Sequence, residues 1–389
     1  MTTIPLTTLP RSVPLLDVNR DNGPLRDEML AAAARVIDTG RFLHGPEVKE
    51  FEVAVAAVCG VRHAIGCASG SDALLLALLA LDIGPGDEVV VPSFTFFATA
   101  SAVTRVGARP VFADIEPATF NLAPAALERA MTARTKAVIP VHLFGQCAAT
   151  EEIVDIARPR GIHIIEDAAQ AIGAKRNGRA AGSVGTIGCL SFYPSKNLGG
   201  CGDGGMLTTN DDRLAERLRL FAAHGMSPRY YHRVIGINSR LDTLQAALLL
   251  VKHQALASWT AQRQANATRY HALFRQTGLD GAVGLPQAMP GNDHVWNQFT
   301  IRVAHGRRDA LREHLTRRNI GSEIYYPLPL HLQDCFRELR DRTAALPETE
   351  RAAAEVMSLP IFPGLRADEQ QLVVAAIADF FAAQQSRAA

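Results

Sequence analysis

Lys196 stands in the run Ser191-Phe192-Tyr193-Pro194-Ser195-Lys196-Asn197-Leu198-Gly199-Gly200, a glycine-rich turn after an apolar, aromatic, strand-like stretch. Upstream, Glu166-Asp167-Ala168-Ala169-Gln170 closes a second strand-like run, His163-Ile164-Ile165. A lysine at one strand end and an aspartate at another suit one chemistry. The amine holds the aldehyde of pyridoxal phosphate as a Schiff base. The carboxylate keeps the ring nitrogen protonated by Coulomb attraction, so that the ring accepts electrons.

Other candidates collect at strand ends, where open α/β sheets bind their ligands. In Ala68-Ser69-Gly70-Ser71-Asp72, Gly70 is read as the turn residue, and Ser71 and Asp72 as the first residues of a helix whose free N–H groups favour a phosphate. The plainer alternative is a helix cap made by Ser71 or Asp72, and the company of Asp167 and Lys196 tips the balance toward phosphate. Phe96 is placed to stack on a flat ring, whereas Phe94 and Phe97 read as core. Gln170, one turn beyond Asp167, is placed to reach the phenolic oxygen of the cofactor, and the Ser191 hydroxyl its phosphate. Gly200-Cys201-Gly202-Asp203-Gly204-Gly205 satisfies GxGxxG, but the residues after it read as a strand, so a dinucleotide site is rejected. The glycines are read instead as letting the backbone pass close to the cofactor. His142, His224, His253 and His331 have no metal-ligand spacing, and no metal site is expected. His331, in Pro329-Leu330-His331-Leu332, is placed at the edge of the active site.

Positioning these groups requires a sheet. Strand-like runs fall at 63–69, 88–94, 109–115, 136–144, 163–169, 187–194 and 204–210, with helical segments at 72–81, 97–106, 123–131 and 150–158 between most of them. This alternation predicts a mostly parallel α/β sheet covered on both faces. Helices are expected at 211–221 and 241–257; beyond these the texture changes to a strand at 296–303, a helix at 309–318 and a final helix from 368. The expected division is a large α/β domain over 1–255 and a smaller α+β domain over 256–389, with residues 383–389 frayed.

At 389 residues the chain has room for two such domains, and 48% hydrophobic with 20% charged residues is ordinary for a globular protein. A net charge of +1 gives no global field for nucleic acid or an anionic membrane surface. The six cysteines, at 59, 67, 147, 189, 201 and 335, form no CxxC pair and read as reduced, buried thiols of a cytoplasmic protein. Met1-Thr2-Thr3-Ile4-Pro5 carries no signal-peptide pattern, and the longest apolar run, 73–81, is half a membrane span and reads as a buried helix.

In this order the motifs resemble the DegT/DnrJ/EryC1/StrS nucleotide-sugar aminotransferases, within the type I, aspartate-aminotransferase-like fold of enzymes using pyridoxal 5'-phosphate. The matching blocks are Ser69-Gly70-Ser71-Asp72-Ala73-Leu74, Gly84-Pro85-Gly86-Asp87-Glu88-Val89, Pro140-Val141-His142-Leu143-Phe144-Gly145-Gln146, Glu166-Asp167-Ala168-Ala169-Gln170, Ser191 to Gly205, and Gly236-Ile237-Asn238-Ser239-Arg240-Leu241-Asp242. The resemblance implies a seven-stranded sheet between helices and a role for each site residue. Lys196 holds the cofactor aldehyde and moves the proton, Asp167 holds the pyridinium, Gln170 the phenolic oxygen and Phe96 the ring face. Ser71, Asp72 and Ser191 hold the phosphate. Asn238 reaches the phosphate from a neighbouring subunit and Arg240 lines the neighbour's substrate site, which implies a homodimer with shared active sites. Tyr326 and His331 are expected at the substrate; many relatives carry His-Tyr where this chain has Tyr325-Tyr326.

The implied reaction moves an amino group from an amino acid, L-glutamate, to a nucleotide-linked keto sugar. The Lys196 loop is similar to members acting on 3-keto deoxyhexoses or a 3-keto uronic acid. A 4-keto sugar or a cyclitol ketone is the alternative acceptor, and a non-catalytic regulatory protein on the same fold is the alternative from another class. Lys196 argues against the latter, since a protein without turnover has no need of it.

Overall fold

A computed structural model describes residues 12–279 and 281–388; the N-terminal residues 1–5 read above lie outside them. The central sheet has seven strands: β1 (His63–Cys67), β2 (Glu88–Pro92), β3 (Arg109–Ala113), β4 (Thr135–Val138), β5 (His163–Asp167), β6 (Ile187–Ser191) and β7 (Gly205–Thr209). Their spatial order is β1-β7-β6-β5-β4-β2-β3. The run from β3 to β6 is parallel, and β7 is antiparallel to both β6 and β1. The mostly parallel α/β sheet expected from the sequence is present. β2 accounts for its unbroken apolar run: Val89 and Val91 enter the core on one face, Val90 that on the other, and the whole strand is buried.

The helix Gly70–Ala80 is apolar on nearly all sides because seven of its residues, Ala73 to Leu78 and Ala80, are buried. Its cap is Ser69, not Ser71 or Asp72: Ser69 Oγ accepts the Asp72 N–H at 3.1 Å. Gly70 is required by proximity rather than by a turn. A Cβ there would lie 2.7 Å from Ser191 Cβ, and a Cβ on Gly205 would lie 2.4 Å from the Ser69 carbonyl. These glycines let the helix start sit directly on β6 and β7, so what they make room for is protein.

Three other expectations change. The strand read at 136–144 ends at Val138. The chain then runs irregularly into a turn at Leu143–Gly145, where Phe144 (φ 59°) and Gly145 (φ 101°) lie in the left-handed region. In the C-terminal part, the segment read as one helix over 241–257 is Thr243–His253, followed directly by a second and longer helix, Leu256–Gln276. β8 (Phe299–Arg302) pairs antiparallel with β9 (Val356–Leu359), and the final helix runs Ala367–Ala388 where a frayed end was expected.

A separate apolar core holds Tyr270, Phe299, Leu311, Phe362 and Ile377 together, and it includes Val13. Val13 bridges Ile320, and Asp21 Oδ1 accepts the Gly364 N–H at 3.0 Å. We propose a division near residue 255, with the segment around 13–21 assigned to the C-terminal unit rather than to the large one. Of the six cysteines, Cys59, Cys67, Cys147 and Cys189 are buried; Cys201 and Cys335 are exposed, contrary to the reading of all six as buried. Among the described residues no helix is long and apolar enough to cross a membrane.

Candidate active site

β5 and β6 end side by side, and the loops beyond them wall a cavity of about 690 Å³, a size ordinary for a small-molecule site. Of the residues singled out from sequence, Ser71, Phe96, Asp167, Gln170, Ser191, Lys196 and Tyr326 line it.

Asp167 is the last residue of β5 and is buried. Its Oδ2 accepts the Thr99 hydroxyl at 2.8 Å and its Oδ1 the Ala169 N–H at 3.3 Å. Burial pushes its carboxyl above the ordinary range, against the pull of those bonds and of Lys196. Lys196 sits in a turn closed by its own N–H on the Tyr193 carbonyl at 2.8 Å. The turn is pinned from behind: the buried Lys252 ammonium donates to the Gly199 carbonyl, and the Cys201 N–H donates to Gln245 Oε1 at 2.9 Å. Burial lowers the Lys196 ammonium to about 8, while Asp167 opposes the shift.

The neighbouring Glu166 alternates to the other side of β5 and does structural work. Its carboxylate accepts His142 Nε2–H at 2.8 Å and the N–H groups of Gly182, Val184 and Gly185 at 2.9, 2.7 and 2.6 Å. His142 Nδ1 accepts the Ala148 N–H at 3.1 Å, which assigns the proton to Nε2 and makes His142 a hydrogen-bonded structural group.

Gln170 is oriented by its carbonyl, which accepts the Phe144 N–H at 2.7 Å; its amide nitrogen is turned to the Tyr326 hydroxyl at 3.5 Å. The left-handed turn at Phe144 therefore decides which end of the Gln170 amide faces the cavity. Phe96 is 58% exposed, with its ring centroid 6.3 Å from that of Tyr326. Phe94 is core, as read, but Phe97 is 44% exposed and leans on Phe336.

Four expected residues lie outside the cavity. Asp72 serves the helix cap through its N–H. His331 is turned away: its N–H donates to Ser93 Oγ at 3.1 Å, its Nδ1 lies 2.7 Å from the same oxygen, and its Nε2 lies 3.4 Å from Glu350. It fastens residues 330–331 to the end of β2. Asn238 and Arg240 bond each other at 2.6 Å and line a separate pocket with Asp242 and Gln245. Asp203 lines both pockets.

Sequence reading missed Thr99, which fixes Asp167, and Gln298 and Glu323, which reach the cavity from the C-terminal part. Among the described residues no group of three His, Cys, Asp or Glu side chains is arranged to hold a metal ion.

A model of the DegT/DnrJ/EryC1/StrS aminotransferase family matches residues 24–378. The chain belongs to this family. A pleiotropic regulatory protein of Geobacillus stearothermophilus is 49% identical over 95% of this chain and 99% of its own length. A UDP-N-acetyl-3-dehydro-alpha-D-glucosamine 3-aminotransferase of Acidithiobacillus ferrooxidans is 46% identical over 92% of this chain and 95% of its own. Among solved structures, DesV of S. venezuelae superposes with a TM-score of 0.89 at 44% identity, covering 95% of this chain and 98% of that one.

As a family member the chain is a sugar aminotransferase dependent on pyridoxal phosphate, with the type I fold. The site fits that group. Asp167 is a buried carboxylate that makes no ion pair among the described residues, and such a group would suit a protonated ring nitrogen. Phe96 offers an open aromatic face beside it. A helix start with donors left over from its cap also lines the cavity, against Ser191.

The lowered Lys196 ammonium gives a direct test. Only the free amine attacks an aldehyde, and its fraction grows with pH until the pH passes about 8. Capture of pyridoxal phosphate by the apoprotein, timed by absorbance, should therefore speed up roughly tenfold per pH unit below that value and level off above it. A rate still climbing at pH 10 would mean that the amine is not depressed.

Proposed function

We propose that this chain transfers an amino group from L-glutamate to a nucleotide-linked sugar bearing its ketone at C3. The observation that carries the chemistry is the Lys196 amine and the Asp167 carboxylate, which has no ion-pair partner among the described residues, on the wall of one open cavity. The relative named as a 3-aminotransferase supports the acceptor class and the carbon. The resemblance implies the donor.

Bound pyridoxal phosphate supplies an aldehyde for the amino group and a ring that accepts electrons. Asp167, held by Thr99 and the Ala169 N–H, keeps a positive charge at the ring nitrogen. Gln170 presents its amide N–H to the phenolic oxygen, since its carbonyl is occupied by Phe144. Phe96 covers one ring face. Ser71, Ser191 and the helix start hold the phosphate. Lys196 carries the proton away from the donor's α-carbon and returns it elsewhere; an amine lowered to about 8 is close enough to neutrality to work in both directions.

Turnover on a panel of 3-keto and 4-keto nucleotide sugars and a cyclitol ketone, with a series of amino acids, tests this reading. Preference for a 4-keto sugar would overturn the C3 assignment.

We further propose a cytoplasmic homodimer with shared sites. Tyr230, Tyr231 and Ile235 form an exposed apolar loop, with Ile235 94% exposed. Asn238 and Arg240 lie just beyond it, outside their own chain's cavity. This arrangement suits residues that serve a second copy. Mixing Lys196→Ala and Asn238→Asp subunits, each inactive alone, should recover part of the activity. No recovery from verified mixed dimers would count against shared sites.

A further inference from the structure

Two hydroxyls form a chain that ends on Asp167. Thr99 Oγ1 donates to Asp167 Oδ2 at 2.8 Å, and Thr95 Oγ1 lies 3.2 Å from Thr99 Oγ1. Both threonines are buried. An ionised carboxylate only accepts, so the Thr99 proton is committed to Asp167. The proton between the two threonines is then that of Thr95. The chain runs from Thr95 through Thr99 to Asp167, with both O–H groups turned toward the carboxylate. A proton on Asp167 Oδ2 would reverse it, since the acid would then donate to Thr99. Each direction of the chain belongs to one charge state of Asp167.

The chain is firmly mounted. Just before Thr95, the Ser93 N–H donates to the Ala113 carbonyl at 3.1 Å, and the Ser93 carbonyl accepts the Leu330 N–H at 2.9 Å. Phe94 is buried against the rings of Phe120 and Tyr326. Thr99 is the second residue of the helix Ala98–Arg105. Burial disfavours the charge on Asp167, and the Thr99 bond is the largest of the pulls that oppose it. A donor that itself accepts a hydrogen bond is polarised by it, and donates more strongly in a dry site.

We propose that Thr95 is a positioning residue: by donating to Thr99 it holds the chain in the direction that keeps Asp167 ionised. It thereby supports the positive charge on the cofactor ring through Thr99 and Asp167, not by a contact of its own. This rests on the reading of Asp167 as the partner of the ring nitrogen.

The test compares the affinity of the apoprotein for pyridoxal phosphate with that for its 1-deaza analogue, in which CH replaces the ring nitrogen. Both are titrated by absorbance. A group that acts through the ring nitrogen changes the first affinity only. Thr99→Val should weaken pyridoxal phosphate roughly tenfold to a hundredfold and Thr95→Val about threefold, with the analogue bound as by wild type. Thr95→Ser, which keeps the hydroxyl, should bind both as wild type does. The double variant should be no weaker than Thr99→Val, because Thr95 then has nothing to act through. No loss in Thr95→Val, a loss equal for the two cofactors, or losses that add in the double variant would overturn the proposal; Thr95→Ala serves if the Val variant does not fold. Asp167→Asn is the control. If it binds both cofactors as wild type does, the reading of Asp167 falls and the Thr95 proposal with it. If it loses pyridoxal phosphate selectively while Thr95→Val does not, the Thr95 proposal alone falls.

Discussion

Lys196→Ala leaves the chain folded but without covalent cofactor and without turnover. Reduction of the wild-type holoprotein with borohydride should fix pyridoxal phosphate to one peptide, that of Lys196. The chain has five lysines, so the map is easily read: Lys49, Lys136 and Lys175 are exposed, and Lys252 is buried on the Gly199 carbonyl. Only Lys196 opens on the cavity. The variant loses a proton-transfer group, worth roughly 10² to 10⁴ in rate, and the covalent tether besides. Its loss should exceed that range, and far-ultraviolet circular dichroism should be unchanged. A label on any other lysine would refute the site.

The second large effect is expected from Asp167→Asn. A unit charge pair at about 4 Å and an effective dielectric of about 20 is worth roughly 4 kcal/mol, which is on the order of 10³ in rate if all of it acts on the ring's capacity to accept electrons. The fold should survive, because Asn still accepts the Thr99 hydroxyl, gives up only the longer bond from the Ala169 N–H, and removes a carboxylate that burial already disfavours. kcat should therefore fall about a thousandfold while the melting temperature stays near that of the wild type. Turnover within tenfold of wild type would show that the carboxylate does not set the charge of the ring.

The strands were readable as short, largely apolar runs, completely buried in β2 and nearly so in β5 and β6, and the ends of β5 and β6 carry Asp167 and Ser191 with the Lys196 turn beyond. The helix start at Ser69 was readable in place but not in detail. Any of three adjacent polar residues can cap a helix, and the choice of Ser69 follows from how closely Gly70 and Gly205 let the helix approach.

Thr99 was hidden because nothing about a threonine in a short helix points at a carboxylate 68 positions later. The C-terminal contribution was harder still. Tyr326 meets Gln170 across 156 residues of chain, a contact decided by how two cores pack. His331 was read from its motif alone, and its tie to Ser93, far off in the chain, was likewise invisible in the sequence. The helix Leu256–Gln276 was missed because its polar and apolar residues form no clear stripe, although Trp259, Tyr270 and Phe274 are buried.

The tight seating of Gly70 on Ser191 and of Gly205 on Ser69 divides the cavity into two kinds of territory. Neither glycine admits even one more carbon, so a substitution there disturbs the helix start before it changes what is accepted. Gln298, Glu323, Tyr325 and Tyr326 arrive from a different part of the chain. Libraries meant to retarget this catalyst to new acceptors belong at those four positions.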